Sequence, residues 1–476
     1  MVGRVSVEVA VAATESAGPA TPLPALIDEL STATQSLLDS PVKAHCRPRR
    51  AGRPLAAISL ALPGALSAAT PGSWDIDSAV LFYSETDRVQ AIEPVISATR
   101  WFDTDRALNA KLVVDTLTGA SPNGAVPSRL PQTYTQASGN GSYTVAPNTI
   151  PLDDTFRDTR VALSSRWQQP LTKNLNGDFG VAASNEYDYF SLALNGGLRY
   201  NLAQNNATLS VALAYAADTL EPEGGIPIRG ACLFGASASN GCSATSFDAT
   251  RRSADDSKDT LDLLMGYTQV LGIRTVAQLN VTLTQSDGYH NDPFKLVSVV
   301  DTDNSNGNGI GEPERHLHEG RPESRLKQGL FGRIKHQFFD RDVLDASYRY
   351  QTDDWGMQAH TLDLRYRWSF RAHQALTPHL RWYDQSAVDF YRPFLRDDEA
   401  LPTYFTADYR QGTFTGITIG AEYAHTSRTG TEWKIAVEYY QQDGVDPGNA
   451  PGQLAGRDIF PDLEAIMVRL NFDFDW

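Results

Sequence analysis

No stretch of this 476-residue chain holds the 18 or more apolar residues that a membrane-spanning helix needs. A helical membrane protein is therefore excluded. Positive charge is in deficit, with 41 Lys and Arg against 57 Asp and Glu and a net charge of −16. Nucleic-acid phosphates call for a basic face, so this balance argues against such a partner. Cysteine is scarce. Of the three residues, Cys232 and Cys242 lie close together, which predicts one disulfide closing a short loop in an oxidising compartment. Gly-x-Ser-x-Gly, P-loop, His-Glu-x-x-His and Cys-x-x-Cys motifs are all missing. No enzyme is expected. A hydrolase with Ser and His drawn from separate strands is the alternative, and nothing singles out its residues.

What is present is alternation. From Leu463 to Trp476 the even positions carry Ile466, Val468, Leu470, Phe472, Phe474 and Trp476, and the odd ones Arg469, Asn471, Asp473 and Asp475. Strand side chains point alternately to opposite faces, so one face is oily and the other charged. A soluble sheet rarely ends by exposing Phe, Phe and Trp; a transmembrane barrel, oily outside and wet inside, would do so. The mean hydropathy of −0.34 is compatible, since only alternate residues of such a strand face lipid.

Comparable segments recur about sixteen times, near 74–84, 89–101, 107–118, 155–167, 177–186, 189–200, 207–217, 259–271, 273–286, 324–339, 342–352, 359–370, 375–388, 413–426, 431–441 and 463–476. A water-soluble sandwich would alternate too. Connection lengths separate the two readings. The long connections, 119–154, 218–258, 287–323, 389–412 and 442–462, all follow odd-numbered strands, and the connections after even-numbered strands are short. Long loops on one side and short turns on the other are the signature of an outer-membrane barrel. Tyr and Trp near strand ends suit the headgroup zone.

Residues 1–46, rich in Ala, Pro, Ser and Thr, show no strand pattern and read as a disordered extension or an over-called start. Residues 47–69 carry a basic cluster, an apolar run from Leu55 to Leu66 and small residues, which predicts a signal peptide cleaved near Ala68 or Ala69. An ordinary buried helix is the competing reading of that run.

Several stretches, densest between 285 and 394, carry a family likeness. They include Asp292-Pro-Phe-Lys-Leu-Val297, Arg321-Pro-Glu-Ser-Arg325, Asp353-Asp-Trp-Gly356, His360-Thr-Leu-Asp-Leu-Arg-Tyr-Arg367 and Asp389-Phe-Tyr-Arg-Pro-Phe394. The sequence thereby resembles an uncharacterised family of Gram-negative outer-membrane proteins catalogued as domain of unknown function 3570. The likeness covers most of residues 74–476. It implies a barrel with no assigned reaction, and gene sets that include a flavin transferase and a small lipoprotein. That in turn implies service to an envelope redox system. The family supplies no catalytic residues.

Candidate functional residues lie on the inward faces of the last seven strands: Arg325, Lys327, Arg333, Lys335, Asp345, Arg349, Asp363, Arg365, Arg367, His379, Arg381, Glu422, Lys434, Glu438, Arg469 and Asp473. Neighbouring strands are about 5 Å apart, so these charges can form a ladder of salt bridges around a wet lumen. Alternatively Arg349, Arg365, Arg367 and Arg381 form a basic wall that selects anionic solutes. In the loop at 287–323, Asp301, Asp303, Ser305 and Glu312 sit in an Asn/Gly-rich run resembling a calcium loop, although the glycine falls one residue late for an EF-hand. The competing reading is a flexible polar loop. His316 and His318 alone are too few ligands for a metal site.

The expectation is an all-β chain: an up-and-down antiparallel transmembrane barrel of about sixteen strands over residues 74–476, in the outer membrane of a Gram-negative bacterium. It is most simply a pore for small solutes with a charged lumen. The alternative is a non-enzymatic scaffold for a periplasmic redox protein or small lipoprotein. Outer-membrane lipid and the barrel assembly machinery are the other expected partners. No cofactor is expected apart from the loop calcium.

Overall fold

The computed structural model describes residues 72–475, apart from 305, 306, 340 and 429. The signal-peptide reading at 47–69, the extension at 1–46 and Ser305 fall outside the described residues. Sixteen antiparallel strands form one closed ring. They are β1 Trp74–Glu85, β2 Gln90–Trp101, β3 Ala107–Pro122, β4 Leu152–Pro170, β5 Leu175–Asn185, β6 Tyr189–Leu202, β7 Ala207–Leu220, β8 Asp256–Gly272, β9 Thr275–Gly288, β10 Ser324–Phe338, β11 Asp342–Asp353, β12 Gln358–Arg371, β13 Gln374–Gln385, β14 Phe414–Thr426, β15 Glu432–Gly444 and β16 Leu463–Asp475. Each pairs with its neighbours in sequence, and β16 closes on β1 from Asp75↔Asp475 to Glu85↔Ala465.

All sixteen expected strands are present. They differ mainly in extent: β3 runs on to Pro122, β4 begins at Leu152 and β8 at Asp256. These additions stand above the alternating core, where loop contacts rather than hydrophobic period hold the pairing. Sixteen strands at about 4.8 Å spacing and about 40° tilt make a ring roughly 30 Å across.

The outward face is oily. Leu163 is 59% exposed, Ile419 58% and Ile466 54%. A belt of this kind around a whole molecule far exceeds the apolar patches of soluble proteins, so this is an outer-membrane-type barrel. Exposed aromatics border the belt. Trp74, Phe179, Tyr200, Trp368 and Phe472 lie towards the short-turn end, and Phe82, Phe190, Tyr215, Trp382 and Tyr439 towards the other.

The long connections carry structure that alternation does not announce. The β3–β4 connection holds a hairpin, Gln132–Thr135 with Ser142–Val145. The β9–β10 connection holds another, Leu296–Val300 with Pro313–His318, joined in parallel by Leu395–Arg396 of the β13–β14 connection. Every residue of Leu296–Val300 is buried. Its sequence, LVSVV, is apolar on both faces and is covered on both.

Candidate functional site

The hairpin between β9 and β10 is the centre of a roof. Its connection lies six strands round the ring of sixteen from both the β3–β4 and the β15–β16 connections, more than a third of the way round from each. It nevertheless touches both. Val126 N donates to Ser298 Oγ at 3.1 Å, and Ser128 Oγ donates to Glu312 at 2.5 Å. Gln453 Nε2 donates to Gly311 O at 2.9 Å and to Pro127 O at 3.1 Å. From the β7–β8 connection, Gly230 N donates to His318 O and Leu233 N to His316 O. From β13–β14, Phe405 N donates to Gly320 O at 2.8 Å. Five loops thus meet over the mouth.

The roof has its own apolar cores. One gathers Val297, Val299, Leu317, Leu395 and Phe405. Another joins Val126, Val300, Phe394, Leu454 and Ile459 from four different connections. Cys232 and Cys242 are bonded to each other, with Cα atoms 5.8 Å apart, and Cys232 packs against the first core. Beside them, between the disulfide segment and residues 395–402, lies a cleft of about 590 Å³ whose lining includes Thr250, Arg315, Leu395, Arg396 and Leu401.

A cluster of buried charges also ties the roof together. Arg321 bonds Glu319 at 2.8 Å and Asp408 at 2.7 Å, and Arg410 bonds Asp408 at 2.7 Å and Asp292 at 2.5 Å. The Lys295 ammonium donates to Pro122 O at 2.5 Å and Ser121 Oγ at 3.4 Å, at the top of β3. Burial alone would raise the Asp408 carboxyl, but the guanidiniums of Arg410 and Arg321 overcome it and hold it far below the usual range. Burial raises Glu319 against the pull of Arg321, and lowers Lys295 against that of Asp292. His316 is pushed down to about 4 by burial, and His318 to about 3 by burial with help from Arg251. His316 Nδ1 meets Ser298 Oγ at 3.0 Å and His318 Nε2 meets Arg251 at 3.2 Å.

Of the residues read as a calcium loop, Asp301 and Asp303 come together and Glu312 does not join them. Its carboxylate is held by Ser128 and by Arg129 Nε at 2.7 Å. Asp397, which the sequence reading missed, takes the third place, with one oxygen of each carboxylate within 4.8 Å of the others. Only a contact between loops brings it there: Asp397 accepts from Thr302 N at 3.0 Å. Carboxylate oxygens so grouped are the donor type a hard divalent cation takes.

Below the roof, the inward positions of β10–β16 hold the predicted charges, mostly in pairs. Asp345 accepts from Arg333 at 2.6 Å and lies 3.2 Å from Lys335. Arg325 meets Asp353 at 2.5 Å, and Arg365 meets Asp363 at 3.2 Å. Lys434 lies between Glu432 at 3.3 Å and Asp473 at 3.1 Å, and Arg367 reaches Glu432 at 3.8 Å. Arg469 meets Glu422 at 3.3 Å. His379 has a carboxylate at each ring nitrogen, Glu438 at 2.7 Å and Asp363 at 2.8 Å. Arg349 lies over the Phe331 ring at 5.4 Å, and Arg381 stands opposite Asp363 in the ladder. Asp353 and Glu432, partners the sequence reading omitted, sit at strand ends where alternation is least informative.

The other wall differs. Its inward positions include Ser184, Ser191, Ala193, Ser210, Ala212 and Ala216 on β5–β7, small and largely neutral. Charges are present there too, closely paired: Arg166 lies 2.8 Å from Asp178, Arg160 2.5 Å from Asp115 and Lys258 3.8 Å from Asp218. The arrangement can hold water and screen ions along a charged wall.

No curated protein matches the sequence. Among solved structures the chain is similar to the siderophore receptor PirA from Acinetobacter baumannii, with 6% identity, 79% of this chain and 54% of that one covered, and a TM-score of 0.39. It therefore spans little more than half of that receptor's length. It is similar to OccK5 (OpdH) from Pseudomonas aeruginosa at 8% identity, covering 85% and 98% of the two chains, with a TM-score of 0.39. A third is a deltaS2S3 mutant of TodX, a monoaromatic hydrocarbon channel, at 12% identity, 85% and 91% coverage and a TM-score of 0.36. The model of the family described as "Protein of unknown function (DUF3570)" matches residues 52–474, and the chain belongs to that family.

Proposed function

We propose that this protein is an outer-membrane pore for small solutes, restricted at its extracellular mouth by the folded roof and biased towards anions by its lumen. One observation carries the reading. On β10–β16 the inward cations Arg325, Lys327, Arg333, Lys335, Arg349, Arg365, Arg367, Arg381, Lys434 and Arg469 outnumber the inward carboxylates Asp345, Asp353, Asp363, Glu422, Glu432, Glu438 and Asp473. Inward acids on β1–β7, among them Asp77, Asp115, Asp178 and Asp218, face that wall, so the surplus is local to β10–β16 and draws anions along that side of the tube. The short turns then face the periplasm, as the outer-membrane pattern requires.

The test is single-channel recording in planar bilayers under a KCl gradient. Small discrete openings with an anion-selective reversal potential support the reading. Replacing residues 290–322 with a short Gly/Ser turn should enlarge them. A bilayer silent with both proteins refutes it.

The roof itself favours a second reading. A capped barrel can serve as a scaffold, presenting its periplasmic end to a redox protein or small lipoprotein. Silence in the bilayer together with co-purification of a flavin- or haem-bearing protein would select this alternative.

A further inference from the structure

The short-turn end of the barrel runs against the charge of the chain. The molecule carries a net −16, yet exposed cations recur from turn to turn: Lys173 between β4 and β5, Arg341 between β10 and β11, Arg371 at the end of β12 and Arg428 between β14 and β15. Among the described residues none of these four has a carboxylate in ion-pair contact; Arg371 Nη1 reaches only the Gln374 side-chain oxygen, at 3.4 Å. Arg106, in the β2–β3 turn, is paired with Asp103 at 2.5 Å and is left out of the argument. Asp342, the described acid beside Arg341, is engaged elsewhere: it accepts from Tyr366 Oη at 3.2 Å and Ser369 N at 3.0 Å.

Exposed apolar side chains accompany three of the four cations. Leu171 stands two residues before Lys173, Phe339 two before Arg341, and Phe370 directly before Arg371. Phe339 is 73% exposed although it lies in a tight turn with φ +49°. These residues continue the lipid-facing belt. Leu171 lies over the outward side of Gly177 on β5, and Phe338, beside Phe339, packs against the outward ring of Tyr366 at 6.5 Å. The pattern is therefore a ring of oily anchors, each with a cation one or two residues towards the periplasm. An acidic protein partner would need the cations alone. Anchors continuous with the belt together with cations match the glycerol-to-phosphate profile of a lipid leaflet.

We propose that this rim is a binding collar for anionic phospholipid headgroups of the periplasmic leaflet, with Lys173, Arg341, Arg371 and Arg428 each taking a phosphate. The inference rests on the membrane reading above and adds a lipid preference that the reading does not require. One surface cation per headgroup corresponds to roughly fivefold enrichment of an anionic over a zwitterionic lipid.

The experiment reconstitutes the full-length chain into vesicles of equal phosphatidylglycerol and phosphatidylcholine. Retained lipids are then counted by native mass spectrometry after gentle detergent extraction. The wild type should retain phosphatidylglycerol about fivefold over phosphatidylcholine, and the quadruple variant K173Q/R341Q/R371Q/R428Q should retain the two equally. A heat-modifiable gel shift confirms that the variant barrel is folded. Equal retention by the wild type, or an undiminished preference in the variant, overturns the collar while leaving the membrane reading intact. Failure of the wild type to insert at all overturns both. If soluble polyglutamate strips the bound phosphatidylglycerol from the wild type while the Gln variant ignores it, the rim belongs to an acidic protein and the lipid proposal falls.

Discussion

Substituting Asp408→Asn isolates the roof from the barrel. Asp408 is fully buried and accepts from Arg321 at 2.7 Å, from Arg410 Nη2 at 2.7 Å and from Arg410 Nε at 2.8 Å. Asparagine keeps the shape and removes the charge, so two guanidiniums share the remaining Asp292 and Glu319. Removing one member of a buried hydrogen-bonded ion pair costs about 3–5 kcal/mol. The amide oxygen can still accept, which places the cost near the lower end, about 3 kcal/mol. None of the sixteen ladders involves this side chain, so the cost falls on opening of the roof. At 1.4 kcal/mol per factor of ten, the open population should rise roughly a hundredfold. Hydrogen exchange followed by mass spectrometry on the purified barrel reads this directly. Amides of Leu296–Val300 and Pro313–His318 should exchange about a hundredfold faster, and those of the barrel strands at unchanged rates. Unchanged exchange in the roof would refute the assignment of the cluster as its fastening. So would acceleration spread equally through the barrel.

The other expectations concern pH, redox state, selectivity and metal. His316 and His318 have folded values of about 4 and 3, below the ordinary 6.5. Their contribution to the roof is therefore complete above about pH 6.5 and is lost as pH falls through 4 to 3, with raised Glu319 opposing it; roof amides should lose protection between pH 6.5 and 4, and a flat profile would contradict this. Reducing Cys232–Cys242 releases a loop of sequence separation 10, worth about 3 kcal/mol on the chain-entropy account. Mobility on a non-reducing gel should change, and roof exchange should quicken while barrel exchange does not. Asp345→Asn leaves Arg333 and Lys335 without their shared carboxylate; the reversal potential should move further towards that of chloride, and a shift the other way would contradict the anion-selective wall. Calcium titrated into the protein should give a saturable heat that Asp301→Ala with Asp397→Ala abolishes; absence of heat in the wild type would rule out that site.

The barrel was legible because its signal is local. Ile466 to Phe474 declare their face within a dozen residues, and the same period recurs in every spanning strand. Much of the inward charge ladder follows from that, since register places Arg333 on β10 opposite Ser347 and diagonal to Asp345. Where register slips, sequence reasoning fails. The irregularity between Trp368 and Arg371 interrupts the β12–β13 ladder just past Arg367, whose guanidinium reaches Glu432 on β15. The roof was not legible. Leu296–Val300 reads as a short apolar run in a polar loop, and its partners are Val126, Leu395 and Leu454, tens to hundreds of residues away in the chain. Asp397 reaches the Asp301–Asp303 pair only through the same long-range folding.

The meeting of five loops over the mouth has a bearing on the order of assembly. Gln453, beyond β15, bonds Pro127, before β4, and both bond or border the hairpin between β9 and β10. Pairing of β1 with β16 shortens the path round the ring between Gln453 and Pro127 to four strands, which favours their contact. The contacts of Gln453 with the hairpin and with Pro127 are accordingly expected late in maturation. The Cys232–Cys242 bond, spanning a few residues of one loop, is exempt from that sequence of events and can close before the rest of the roof arrives.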